Sequence, residues 1–226
     1  MFWIRLSDCS DAFGYRYAAP GWHPFTEAIS RDVRKGVDYH GSFLEDFYRR
    51  SAGMTAADAL FIDSEDAPRI LTDRPAGTPP WIWFEDSRVG ERVDFGARFG
   101  PVTEHVGRLK LQRLRNADER IKQHGYRPGV NPDGFVRGFL LAAPPILRFV
   151  VTGGNHRVAA IASRTDLPEE ILVRFDPRFP EVVSVADVAR WPAVVNGSVS
   201  EVEARSVVAA FLADNDLEHR AKLGFE

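Results

Sequence analysis

Gly153, Gly154, Asn155, His156 and Arg157 form the run in this 226-residue chain whose residue types best suit ligand chemistry. Phe149, Val150 and Val151 ahead of it are β-prone, Thr152-Gly153-Gly154 interrupts them, and Val158, Ala159, Ala160 and Ile161 suit a helix. The pattern predicts strand, glycine turn, helix. Such a turn brings backbone close to a ligand and aims the first amides of the helix into the same space, where an anion is favoured. His156 and Arg157, in the first helical turn, add donors suited to phosphate. The plainer reading is that the glycines only turn the chain and Arg157 pairs with a surface acid.

A second group lies upstream. A helix is predicted over 103–124, stopped at Gly125, with Leu111, Leu114, Ala117 and Ile121 at core spacing. Residues 108–122 hold six basic and two acidic side chains, a local balance of +4, and Arg113, Asn116 and Arg120 share one face. Read alone, this is a solvated basic face. Glu104 opens the same helix. Near a terminal phosphate its carboxylate could orient or deprotonate a hydroxyl, while the bland alternative is a helix N-terminal acid stabilised by the macrodipole. Asp133 and Asp176 are acids that could hold magnesium, without a spacing motif to support either. The six histidines show no metal-binding spacing, so no metal site is predicted.

The elements that must position these groups follow from pattern. Residues 1–30, rich in aromatics, glycine and proline, are expected to lie across a core rather than form regular elements. Short helices are predicted over 25–33, 42–50 and 55–61, the last capped by Thr55, and a hinge or long surface loop over 63–80. Trp81-Ile82-Trp83-Phe84 reads as packing, with Trp83 stacking on a base as the alternative. A turn at Gly100-Pro101 precedes the basic helix. Strands over 135–141 and 147–152 form an antiparallel hairpin that delivers the glycine turn; a helix over 155–164 and a strand over 171–175 follow. Helices over 185–195 and 200–212, the latter with a Ser200/Glu203 capping box, close the core. The fold class is α+β. Its parts are a mainly helical, aromatic-rich accessory region 1–98, a core 99–180 and C-terminal helices 181–226.

Apolar residues at 44% and charged residues at 27% are ordinary for a globular chain. A net charge of -3 gives no global attraction to nucleic acid or acidic membranes. The single cysteine, Cys9, permits no internal disulfide and fits a reducing compartment. The N-terminus lacks a signal-like apolar segment, and the longest apolar run, 139–147, is too short to span a membrane and contains two prolines. The expectation is a cytoplasmic protein without membrane association.

Gly153-Gly154-Asn155-His156-Arg157, followed by Ala159 and Ala160, resembles the Gly-Gly-Cys-His-Arg loop of sulfiredoxins and, more loosely, the Gly-x-x-Arg-x-x-Ala box of ParB-type proteins. The similarity extends over the strands 134–141, 147–152 and 171–175, about the middle third of the chain. It implies a ParB/sulfiredoxin-like fold, a small mixed sheet with packed helices, whose loop binds nucleotide phosphates. It also implies that the helix carrying Arg113, Asn116 and Arg120 lies beside that loop, and that Glu104 takes the place of a glutamate found before the corresponding helix in kinases of the superfamily. One departure matters: Asn155 stands where the sulfiredoxin loop has its reactive cysteine, and an amide cannot replace a thiolate. Peroxiredoxin repair is therefore not expected.

Three functions follow from residues and resemblance together. The favoured one is nucleotide binding, extended to a phosphotransferase that uses ATP or ADP with Mg and acts on an unknown small hydroxyl compound. The second is a ParB-like nucleotide-dependent regulator or DNA-binding protein, disfavoured by the acidic balance. The third is a non-catalytic scaffold whose aromatic N-terminal half supplies an interface.

Overall fold

Short β-prone runs form the centre of the protein, and the most central of them, 146–153, is buried at five consecutive residues, 148–152. The computed structural model describes residues 1–63, 65–76, 79–84, 102–130 and 134–225. Its strands are β1 (Phe2–Arg5), β2 (Cys9–Ser10), β3 (Val136–Ala143), β4 (Ile146–Gly153), β5 (Glu170–Phe175) and β6 (Val182–Ser184). β3 and β4 make the predicted antiparallel hairpin, with Leu140 opposite Phe149. β5 lies parallel to the first half of β3, and β6 continues along the same edge, parallel to its second half. The result is a six-stranded mixed sheet in the order β1-β5-β3-β4-β2, with β6 beside β3. The predicted α+β class is what the structure has.

The first ten residues depart from the expected irregular chain. β1 pairs antiparallel with β5, and β2 pairs parallel with β4, so this segment reaches both ends of the strand order. A three-residue 3-10 turn, Leu6–Asp8, is all that separates them. From Arg5 to Cys9 the chain spans at most about 14 Å, so the sheet must curl to bring its edges together. Phe2 packs inside that curl, its ring 5.7 Å from Phe149 and 4.8 Å from Phe175. The strands were too short to show a convincing period, and pairing across the sheet decides them. The aromatic segment after Ser10 does bury its rings: Phe13, Tyr15 and Tyr17 are each 1% exposed.

The helices start where short polar residues can hold their first amides. Ser42 caps Phe43–Arg50, while Thr55 and Ser200 each close a capping box before Ala56–Ala59 and Glu201–Leu212. His23 caps Pro24–Arg31, its Nδ1 accepting the Phe25 amide at 3.0 Å. The predicted helix over 185–195 is instead a 3-10 segment, Val185–Arg190, and a short helix, Pro192–Val195. Pro192 lacks the N–H that a continuous helix would need there. Short helices Arg69–Thr72 and Asp216–Lys222, and strand β6, were not anticipated. The cluster at 81–84 is core. Trp81 donates to the Ala12 carbonyl at 3.1 Å, and Trp83 is packed between Trp191 and Phe211. Trp83 is 4% exposed, which removes it as a platform for a base. No helix among the described residues is long and apolar enough to cross a membrane. The predicted turn at Gly100-Pro101, the boundary between 98 and 99, and Asp133 lie outside the described residues.

Candidate functional site

β4 ends at Gly153, and the loop helix Asn155–Ala162 begins directly after Gly154. Gly154 takes φ 93°, ψ 17°, a left-handed conformation that reverses the chain in one residue and that side chains rarely adopt. A Cβ there would also press on an Arg157 guanidinium nitrogen at 3.0 Å. That guanidinium donates to the carbonyls of Gly134 and Phe135, tying the loop helix to the start of β3. Arg157 therefore has a structural duty beside any ligand duty. The amides of Arg157 and Val158 both turn back to the Gly154 carbonyl, at 2.9 and 3.1 Å, while the Asn155 amide has no partner among the described residues.

The basic helix runs over Glu104–His124 and stops at Gly125, close to the predicted 103–124, and Thr103 caps its start. Leu111, Leu114, Ala117 and Ile121 are buried, which fixes its rotation and turns Arg113, Asn116 and Arg120 toward the glycine turn. Asn116 accepts from the Gln112 side-chain amide at 2.9 Å.

The sheet supplies what the sequence reading missed. Gly153, Arg137 and Arg174 form one row across β4, β3 and β5: Arg137 is the register partner of both Gly153 and Arg174. Val136 and Val173 beside the two arginines are fully buried, so strand alternation sends Arg137 and Arg174 outward. The β3 ladder shifts register between Arg137 and Gly138, a bulge of the kind that re-aims a side chain. Gly153 leaves the space over which Arg137 passes; a Cβ would meet its Nε at 3.4 Å. The Arg174 guanidinium lies over the Phe135 ring, 3.9 Å from the centroid.

These parts line one cleft of about 800 Å³: Arg113, Asn116 and Arg120 from the helix, Arg137 and Arg174 from the strands, and Gly154, His156 and Arg157 from the turn. Ala117, Ile121, Gly134 and Phe135 complete it. No carboxylate is among the described residues that line it. Five guanidiniums in such a space can donate to several phosphate oxygens, often in pairs, and Phe135 offers an aromatic surface beside them. The His156 ring stacks on Phe25 at 5.2 Å, which sets its plane at the cleft wall.

Other predicted residues stand apart from this cleft. Gly153 lies under Arg137 rather than at the wall. The Asn155 side chain turns to the N-terminal segment, its Oδ1 accepting from the Tyr17 hydroxyl at 2.5 Å. Glu104 is not in the lining: it sits nine positions before Arg113, about 13.5 Å along the helix axis. It pairs with Arg108 at 2.7 Å and His40 at 3.0 Å, and the hydrogen bond from Arg108 lowers its pKa, so it is held as an ionised surface carboxylate. Asp176 is buried, its Oδ2 accepting from Thr152 and Arg178 at 2.6 Å each and its Oδ1 from the Arg178 Nε at 2.9 Å, which occupies both oxygens with structural partners. No group of three potential metal ligands occurs among the described residues.

No family model, curated protein or solved structure matches the chain.

Proposed function

We propose that the protein binds a phosphorylated small molecule of the mononucleotide type in the arginine-lined cleft. The observation that carries this is the placing of Arg137 and Arg174 side by side on neighbouring parallel strands, opposite Arg113 and Arg120. Like charges in direct register oppose sheet formation by roughly 0.2–1 kcal/mol. None of the four has a carboxylate partner among the described residues. A bound polyanion relieves that repulsion, and a cleft of about 800 Å³ lies within the roughly 300–1,000 Å³ usual for small-molecule sites.

The proposal covers binding, with ATP and ADP as the first ligands to try, with and without Mg. Phosphoryl transfer to a hydroxyl compound would further need a base or a metal-holding acid beside the phosphates. Glu104, the carboxylate assigned that part by resemblance, is engaged elsewhere with Arg108 and His40.

A thermal-shift panel of ATP, ADP, CTP and GTP on wild type and Arg174→Ala tests the reading. A ligand at about 100 times its Kd stabilises the folded state by about 2.7 kcal/mol, a shift readily measured. The wild type should show it with at least one nucleotide, and the variant should lose most of it. A panel without any shift, or equal shifts in both proteins, overturns the proposal.

A further inference from the structure

The charges of the cleft constrain the form in which a ligand can enter. Several partly buried arginines elsewhere in the protein meet carboxylates: Arg16 meets Asp216 at 2.7 Å, Arg34 and Arg164 meet Asp118 at 3.1 and 3.2 Å, and Arg220 meets Glu27 at 3.1 Å. Arg113, Arg120, Arg137 and Arg174 have no such partner among the described residues, although they converge on one space. The Arg174 guanidinium also rests over the Phe135 ring, which favours this position beside its neighbours. No carboxylate among the described residues balances this group, so the described lining favours a ligand that brings negative charge with it.

A phosphate chain chelated to magnesium is poorly suited to that task. The ion cancels part of the chain's charge and would itself stand among guanidiniums. Sites that take the chelate usually hold the ion through one or two carboxylates as well as through phosphate oxygens. The described lining has only cationic and neutral groups. Resting on the binding reading above, we infer that the cleft takes a polyphosphate chain as the free anion, and that magnesium competes with the protein for it. Occupancy then falls as free magnesium rises, which makes the cation a regulator of this site rather than its cofactor.

Calorimetric titration of the full chain with ATP and with tripolyphosphate tests this, each in EDTA and in excess magnesium at matched ionic strength. Whichever ligand binds should bind about tenfold or more tightly in EDTA, as expected for charge complementarity that chelation removes. The Arg113→Gln/Arg174→Gln double variant, at exposed positions and with its fold checked by melting temperature, should lose most of that difference. Tighter binding of ATP than of tripolyphosphate identifies the anion as a nucleotide, and equal binding identifies it as the phosphate chain alone; both require the magnesium effect. Affinity that is equal or higher with magnesium overturns the inference and leaves the binding site standing. Absence of binding in both conditions removes the binding reading itself, and this inference with it.

Discussion

Two faces of the same helix, Glu104–His124, treat their arginine neighbours in opposite ways. On one face Asp118, almost buried, accepts from Arg34 and Arg164, and Arg34 donates further to the Ser163 carbonyl and hydroxyl at 3.0 and 2.8 Å. Arg115 beside it donates to the Val37 carbonyl. On the other face Arg113 and Arg120 look across a cleft at Arg137 and Arg174, with no acid among the described lining residues. In the first arrangement a carboxylate of the protein itself meets the arginines Arg34 and Arg164, which hold elements together, although Nε of Arg115 and of Arg164 is left without a hydrogen bond among the described residues. The second has no such acid among the described residues, and this imbalance is what supports the proposed anion site.

The two faces are expected to respond to substitution in different observables. The largest effect on folding should come from Asp118→Ala, which strands two arginines over the helix. A loss of about 2–3 kcal/mol in urea denaturation is expected, somewhat below that for a fully buried pair, with ligand affinity unchanged once folded protein is counted. Arg174→Ala should do the reverse. Nucleotide affinity falls about tenfold to a hundredfold, corresponding to about 1.4–2.7 kcal/mol of charge-assisted bonds, while the melting temperature holds or rises slightly.

Asp176 extends the comparison to an acid that is fully satisfied. Burial opposes its ionisation, but the Arg178 guanidinium and the Thr152 hydroxyl outweigh it and hold the carboxyl down at about 2. With an unfolded value near 3.9, its contribution is complete above about pH 4 and is lost as pH falls through about 2. Asp176→Asn should cost about 1–2 kcal/mol at neutral pH and flatten stability in that acid range. The smallest effect is expected of Glu104→Gln, which should leave melting temperature and nucleotide affinity unchanged within error. A clear loss of affinity there would place the carboxylate at the ligand and break the distinction drawn here.

How much of this could be read from the chain varies with the range of the interaction. The helix stop at Gly125, the apolar spacing from Leu111 to Ile121, and the hairpin leading to Gly154 depend on neighbours within a few residues, and all were legible. So was the gathering of Arg113, Asn116 and Arg120 at the turn, although only through resemblance, because a basic helix face by itself is ordinary. Arg137 and Arg174 were not legible. Each sits in a predicted strand at an outward position, but their meeting depends on β5 pairing parallel to β3, and no local pattern specifies which strands pair. The strands at 2–5 and 9–10 were missed for the same reason. Glu104 was placed at the cleft by analogy, and the rise of the helix carries it to a different part of the surface.

The central claim is that the cleft arginines exist to receive a polyphosphate. Its most direct test is a calorimetric titration of ATP, in EDTA, into wild type and into the Arg137→Ala/Arg174→Ala double variant. Saturable one-site binding to the wild type is expected, with affinity at least about a hundredfold weaker in a variant that melts no lower. Equal affinity in the two proteins, or a variant that unfolds because those arginines hold the sheet together, would contradict it.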